Sequence, residues 1–401
     1  MVIKLENQVT RKQQLKNIVI YINFILLFFP AFSISYLVFR LYFQSRIIAV
    51  PLMVLPWIVS KKSIKINVLY IPLLISLLVP LAGMSAGRTF SLIDIGYFLS
   101  FIYIIIFVEL VKNKQQKFIS FIKIFTSSNI VFCWIQVIFM NLGLSDLTMI
   151  QNNLPSHSDY ILPRHHLMPY LYRYTGLFHE SSPLTFYLCS AYCFLDELKP
   201  PKTSWLKFAT FATIFFSGSK FAYLFLMTLC LPKTLHYIPA QLRNITFLIV
   251  TGIGFAIIVK NFSEIVTVLS RNIPAFYVRF IAMQNALFNR KILLLGNGFV
   301  SSSSGESGGL DAFTIIFSGY GLVCGFIVIG TFFIFIWQSH IRSKIMFSVI
   351  YALGLISNGS FLISQYPILF GMIHLLNAKY KQEKVYFHQS KPDKNIRRFN
   401  Y

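Results

Sequence analysis

The residue types with chemistry to offer gather in Arg173-Tyr174-Thr175-Gly176-Leu177-Phe178-His179-Glu180-Ser181-Ser182-Pro183. Arginine presents a planar, permanently charged fork suited to phosphate or carboxylate, and His179 and Glu180 can move a proton or orient a hydroxyl. Gly176 permits a turn or a close approach of backbone to ligand. Pro183 suits the first turn of a helix, with Ser181 or Ser182 as its cap. A plainer reading is available: an interfacial loop whose charges face water and whose Ser-Ser-Pro merely starts a helix. The surrounding chain decides between them.

Those surroundings are apolar. Of 401 residues 56% are hydrophobic and only 12% charged, with a mean hydropathy of +0.65, values outside the soluble globular range. The expected class is an all-α polytopic membrane protein forming one integral membrane domain over 1–401. A net charge of +23 would also suit nucleic acid, but the basic residues fall in short clusters between apolar runs, so topology is the simpler cause and no nucleic-acid partner is expected. All five cysteines lie inside predicted spans. Cys189 and Cys193 share a helical face, yet no histidine accompanies them and packing is favoured over metal.

The runs must then position the polar stretch. The basic start (Lys4, Arg11, Lys12, Lys16) precedes an apolar run at about 18–39, read as a retained first helix. Further spans are expected at about 47–60, 66–82, 90–111, 118–142, 183–198, 205–216, 221–231, 245–260, 312–337, 345–356 and 361–376. The total is about twelve, with ten or eleven if the short central pair does not cross. Lysine-rich turns and the basic tail 378–401 place both termini in the cytoplasm. Two long segments are left outside, 143–182 and 261–310, and long irregular loops are usually functional or disordered. His157, His165 and His166 in the first lack metal-ligand spacing and suit a pH-sensitive or substrate-contacting surface better. The 205–231 pair reads as a hairpin whose tip, Ser217-Gly218-Ser219-Lys220, holds Lys220 near the outer face; a plain turn with a snorkelling lysine is the alternative.

Charge distribution points the same way. On this topology eight of thirteen arginines lie outside, at positions 40, 46, 88, 164, 173, 271, 279 and 290, against the usual inward bias. An anionic substrate at the outer interface accounts for them, and arginine in place of lysine suggests bidentate contact with phosphate. If residues 272–289 form a helix on the membrane, Arg279 and Arg290 leave it on nearly the same face.

In this order along the chain, Arg173-x-x-Gly176-x-Phe178-x-Glu180, the turn Ser217-x-Ser219-Lys220, an arginine-bearing second loop closing in Gly296-x-Gly298, and a Gly-rich helix resemble the O-antigen ligase and Wzy-type polysaccharide polymerase superfamily of bacterial inner-membrane glycosyltransferases. The resemblance covers roughly residues 120–340. It implies a GT-C-like fold and transfer of an oligosaccharide from polyprenyl diphosphate to a hydroxyl of another lipid-linked unit, during O-antigen, capsule or exopolysaccharide synthesis. Partners implied are the lipid-linked oligosaccharide, membrane lipids, and chain-length regulator and flippase proteins. Under this reading Arg173, Arg271 and Arg279 bind the diphosphate, supported by Lys220, Arg290 and Arg164 and by the turns at Gly176, Gly296 and Gly298. Glu180 orients or deprotonates the acceptor, with His179 as reserve base. No metal or cofactor is required where arginines neutralise the leaving group.

Related ligases carry His-Asn shortly after the Gly-x-Gly region, where this chain has only Asp311 as an ionisable residue. That departure favours a repeat-unit polymerase over a ligase-like transferase. A flippase is the rival from another class, but it should line a central cavity with charge and often shows two similar halves, neither of which is legible here. Orientation is open to a direct check. Asp159→Cys and Ser302→Cys are expected to react with an impermeant maleimide added outside intact cells, and Lys62→Cys only after permeabilisation; the opposite pattern reverses the assigned sidedness.

Overall fold

The computed structural model describes residues 68–85, 92–144, 168, 173–178, 181–198, 204–235, 296, 312–357 and 366–389. Within them every regular element is helical: α1 Tyr70–Ser85, α2 Leu92–Asn113, α3 Gln115–Asn141, α4 Ser181–Leu198, α5 Ser204–Phe216, α6 Lys220–Leu235, α7 Ala312–Gln338, α8 Lys344–Ser357 and α9 Tyr366–Gln389. Two of these, Gln115–Asn141 and the Ile315–Gln338 part of α7, are long and apolar enough to cross a bilayer. This is compatible with an all-α membrane protein. The predicted spans at 18–39, 47–60 and 245–260 lie outside the described residues.

Helix α4 is the strut of the bundle. Fifteen of its eighteen residues are buried, and α3, α5, α6, α8 and α9 all pack on it. Pro183 sits in its first turn, where the missing amide has no intrahelical role, and Thr185 Oγ1 donates to Ser181 O at 2.7 Å. Helix α3 runs antiparallel to it: Phe118 meets Phe194, while Thr126 and the Tyr187 hydroxyl share a 2.8 Å hydrogen bond half-way along. An aromatic layer then joins α4, α7, α8 and α9 through Phe186, Phe332, Tyr351, Tyr366 and Phe370. Offset and edge contacts of this kind add to the burial of large rings.

The exterior of the described bundle is apolar around a mainly apolar core. Helix α1 turns Leu74, Leu77, Leu78, Leu81 and Met84 outward and buries Pro72, Ser76, Val79, Pro80 and Gly83. In α7 the exposed residues include Val323, Phe326, Ile327, Ile334 and Trp337. The interior also holds Thr126, Asn129, Gln136, Thr185, Ser190, Thr210, Thr213, Ser217 and Ser219. An apolar exterior, with buried polar groups most of which are hydrogen-bonded, is compatible with lipid as solvent.

Two helices differ from the sequence expectation. Helix α7 is interrupted at Gly321, whose φ of 80° and ψ of 170° leave the helical region, where the sequence suggested one unbroken span over 312–337. The last helix begins at Tyr366 and continues to Gln389, so the basic tail starts inside it. The end of the bundle carrying the α4 C-terminus is fastened by polar contacts. Buried Glu197 accepts the Ser343 amide and, at 2.7 Å, the Tyr380 hydroxyl, Asp196 pairs with Lys207, and Asn377 accepts the His340 amide at 3.0 Å.

Close packing is tight at Gly371, where an added Cβ would stand 2.6 Å from the Phe107 ring, and absent at Gly330, where nothing lies within 4 Å. Gly371→Val is expected to lower stability by about 1–3 kcal/mol through overpacking, whereas Gly330→Ala should raise it by up to about 1 kcal/mol through helix propensity. Thermal unfolding of the purified protein in detergent measures both.

Candidate functional site

The polar stretch is docked, not draped over the surface. Gln136 on α3 holds it from both sides: its Oε1 accepts the amides of Thr175 at 3.0 Å and Gly176 at 2.9 Å. Its Nε2 donates to Gly176 O at 3.1 Å and more weakly to Thr175 Oγ1 at 3.4 Å. Two turns earlier on the same face, Asn129 Oδ1 accepts the Leu177 amide at 3.1 Å while its Nδ2 donates to Phe125 O at 2.9 Å. Both amide side chains are buried. The segment thus supplies its backbone groups with partners although it lies among apolar helices, as buried backbone requires. A turn closes with the Phe178 amide donating to Thr175 O at 3.0 Å, and the Tyr174 hydroxyl donates to Thr213 O at the end of α5.

Gly176 is fixed by this dock. Its φ is +58°, and a Cβ there would meet Asn129 Oδ1 at 2.9 Å, Cys133 Sγ at 3.1 Å and Leu184 Cδ1 at 3.2 Å. Only glycine combines that backbone with so close an approach to α3 and α4.

The dock determines where Arg173 goes. Its Nη2 donates to Ser181 Oγ at 2.7 Å, which places the guanidinium at the N-terminal end of α4. It also lies within electrostatic reach of Tyr223, in the first turn of α6. Arg173 and the first turn of α6, which follows the 217–220 turn, are therefore close enough to interact electrostatically. Ser181, expected as a cap, is the first helical residue and serves as the arginine's acceptor.

Gly296 has a positive φ of +63° and backs onto α7: an added Cβ would lie 2.5 Å from Ser318 O and 2.7 Å from Gly319 O. It thus sits on the half of α7 before the Gly321 interruption. Helix α6 begins at Lys220, one residue before the expected span, so that Lys220 opens the helix instead of ending the turn. His179, Glu180, Arg164, Arg271, Arg279, Arg290, Gly298 and Asp311 lie outside the described residues. Among the described residues no three His, Cys, Asp or Glu side chains come together as a metal site. Cys133, Cys189 and Cys193 are buried free thiols. The arrangement offers a fixed cation beside two helix N-termini, a setting that favours anions.

Sequence reasoning did not single out Asn129 and Gln136. Two amide side chains seven residues apart in a span are a signal in hindsight, since an intramembrane polar residue needs a partner and usually has a purpose. Glu197 was likewise passed over. No protein-family model, curated protein or solved structure matches the chain.

Gln136→Leu leaves two backbone donors without their acceptor, at about 1–3 kcal/mol each. A loss of about 2–5 kcal/mol in stability is expected, with faster hydrogen exchange confined to 173–178. Unchanged exchange there would show that Gln136 does not hold the segment.

Proposed function

We propose that the chain is a multi-pass membrane glycosyltransferase of the polysaccharide-polymerase type. It elongates a surface glycan by moving an oligosaccharide from polyprenyl diphosphate to a hydroxyl of a second lipid-linked repeat unit. The acceptor oxygen attacks the anomeric carbon of the donor, the bond from that carbon to the diphosphate oxygen breaks, and the lipid diphosphate departs. The hydroxyl proton passes to a base, for which Glu180 and then His179 are assigned, with Asp311 as the further candidate.

The observation that carries this reading is the seating of Arg173. A guanidinium held against Ser181 and within electrostatic reach of the first turn of α6 is preorganised for charge that develops on a leaving diphosphate, the arrangement that gives electrostatic stabilisation most effect. The apolar exterior and the resemblance of the motif order support the membrane and the lipid-linked substrate. Arg271 and Arg279 are assigned to the same diphosphate, and the inner membrane of a bacterium, with both termini cytoplasmic, is the proposed location.

One observation favours a second reading, a lipid-linked oligosaccharide flippase: the interruption of α7 at Gly321, since broken helices recur in transporters. Purified protein given synthetic polyprenyl-diphosphate repeat units distinguishes the two. The polymerase reading expects a ladder of products, reduced about 10²–10³-fold by Arg173→Ala and less by Arg173→Lys, which keeps the charge without the fork. Movement of unchanged monomer between leaflets of proteoliposomes, with no ladder, establishes the flippase instead.

A further inference from the structure

The turn between α5 and α6 holds a hydroxyl that the fold does not use. Ser219 is 1% exposed, and its Oγ is a buried atom with no hydrogen-bond partner. Its neighbours are engaged: Ser217 Oγ donates to Ile214 O at 2.8 Å and accepts the Ser219 amide at 3.3 Å. A serine just ahead of a helix usually turns its side-chain oxygen onto an amide two or three residues on. Here the Ser219 carbonyl takes the amides of Ala222 at 2.9 Å and Tyr223 at 3.4 Å instead. The amides of Lys220 and Phe221 open α6 with no acceptor inside the helix.

The surroundings of that hydroxyl are positive. The N-terminus of α6 carries the positive end of its helix dipole. Tyr223, four residues after Ser219 and so on the same face of α6, lies within reach of the Arg173 guanidinium. The buried Ser219 hydroxyl, the opening amides of α6 and, through Tyr223, the electrostatic reach of the Arg173 guanidinium are grouped about the N-terminal end of α6. A tetrahedral phosphoryl group has oxygens to meet all three, whereas the two oxygens of a carboxylate lie in one plane.

We propose that Ser219 Oγ and the opening amides of α6 bind a phosphoryl oxygen of a diphosphate whose other oxygens face Arg173. This rests on the lipid-diphosphate reading above and adds to it a neutral hydrogen-bond donor at the hairpin tip, making Ser219 a positioning residue for the phosphoryl group.

The test is equilibrium binding of radiolabelled farnesyl diphosphate and of inorganic pyrophosphate to the purified full-length protein, alongside thermal unfolding. Ser219→Ala is expected to weaken both ligands about tenfold or more while leaving the melting temperature unchanged or higher, because an unsatisfied buried hydroxyl is removed. A purely structural cap would lower the melting temperature instead, and that result overturns the proposal. Ser348→Ala, which removes another buried hydroxyl without a partner on α8, should leave binding unchanged; an equal loss there would refute the assignment to Ser219. Tighter binding of farnesyl diphosphate than of pyrophosphate identifies a lipid headgroup, and equal binding identifies free diphosphate, with the Ser219 contact supported in either case. If the wild type binds and Arg173→Ala weakens it but Ser219→Ala does not, the Ser219 contact fails and the diphosphate reading stands. If the wild type binds neither ligand, both fall.

Discussion

A peptide segment sunk among apolar helices must find partners for its amides and carbonyls inside the protein, and everything at the candidate site follows from how residues 175–177 meet that demand. Gln136 and Asn129 meet it from one face of α3. A primary amide is suited to the task because one side chain both accepts and donates, so Gln136 engages amides and a carbonyl of the same turn without introducing charge. With those bonds made, Arg173 at the head of the same segment lies beside Ser181.

Helix α4 carries this constraint through the bundle. Its eighteen residues extend about 27 Å, with the arginine at one end and the Glu197 contacts at the other. Glu197 ties α4 to the turn before α8 and to α9 through Ser343 and Tyr380. Between these ends the contacts are mainly aromatic and aliphatic, with one hydroxyl pair, Tyr187 and Thr126, joining α4 to α3 and others such as Thr185 and Ser190 turned back onto their own helix. Charge is kept to the ends of a rigid element, where it can be positioned without weakening the middle.

Much of the helical framework was legible in the sequence, because apolar runs of span length ended by lysine or proline leave few alternatives. Helices α3, α4, α5 and α8 lie within a few residues of where those runs placed them. The extension of α9 was not legible, since Lys379, Lys381 and Lys384 look like a solvated tail until the backbone is seen to remain helical. The interruption at Gly321 was hidden for a different reason: glycine in an apolar helix is compatible with close packing and with a break, and only the backbone angles tell them apart. At the site, Arg173 and Gly176 stood out by residue type. Gln136 and Asn129 did not, because a single amide within a long apolar run says nothing about which distant backbone it will meet.

The loop is read by α3 almost wholly through main-chain atoms, and that has an evolutionary corollary. The side chain at 177 can drift with little effect on these hydrogen bonds, while Gln136, Asn129 and Gly176 are coupled and must change together or not at all. Divergent descendants of this chain would therefore keep a scattered three-residue signature spread over two segments, not a contiguous motif, and that signature is the one by which to trace them.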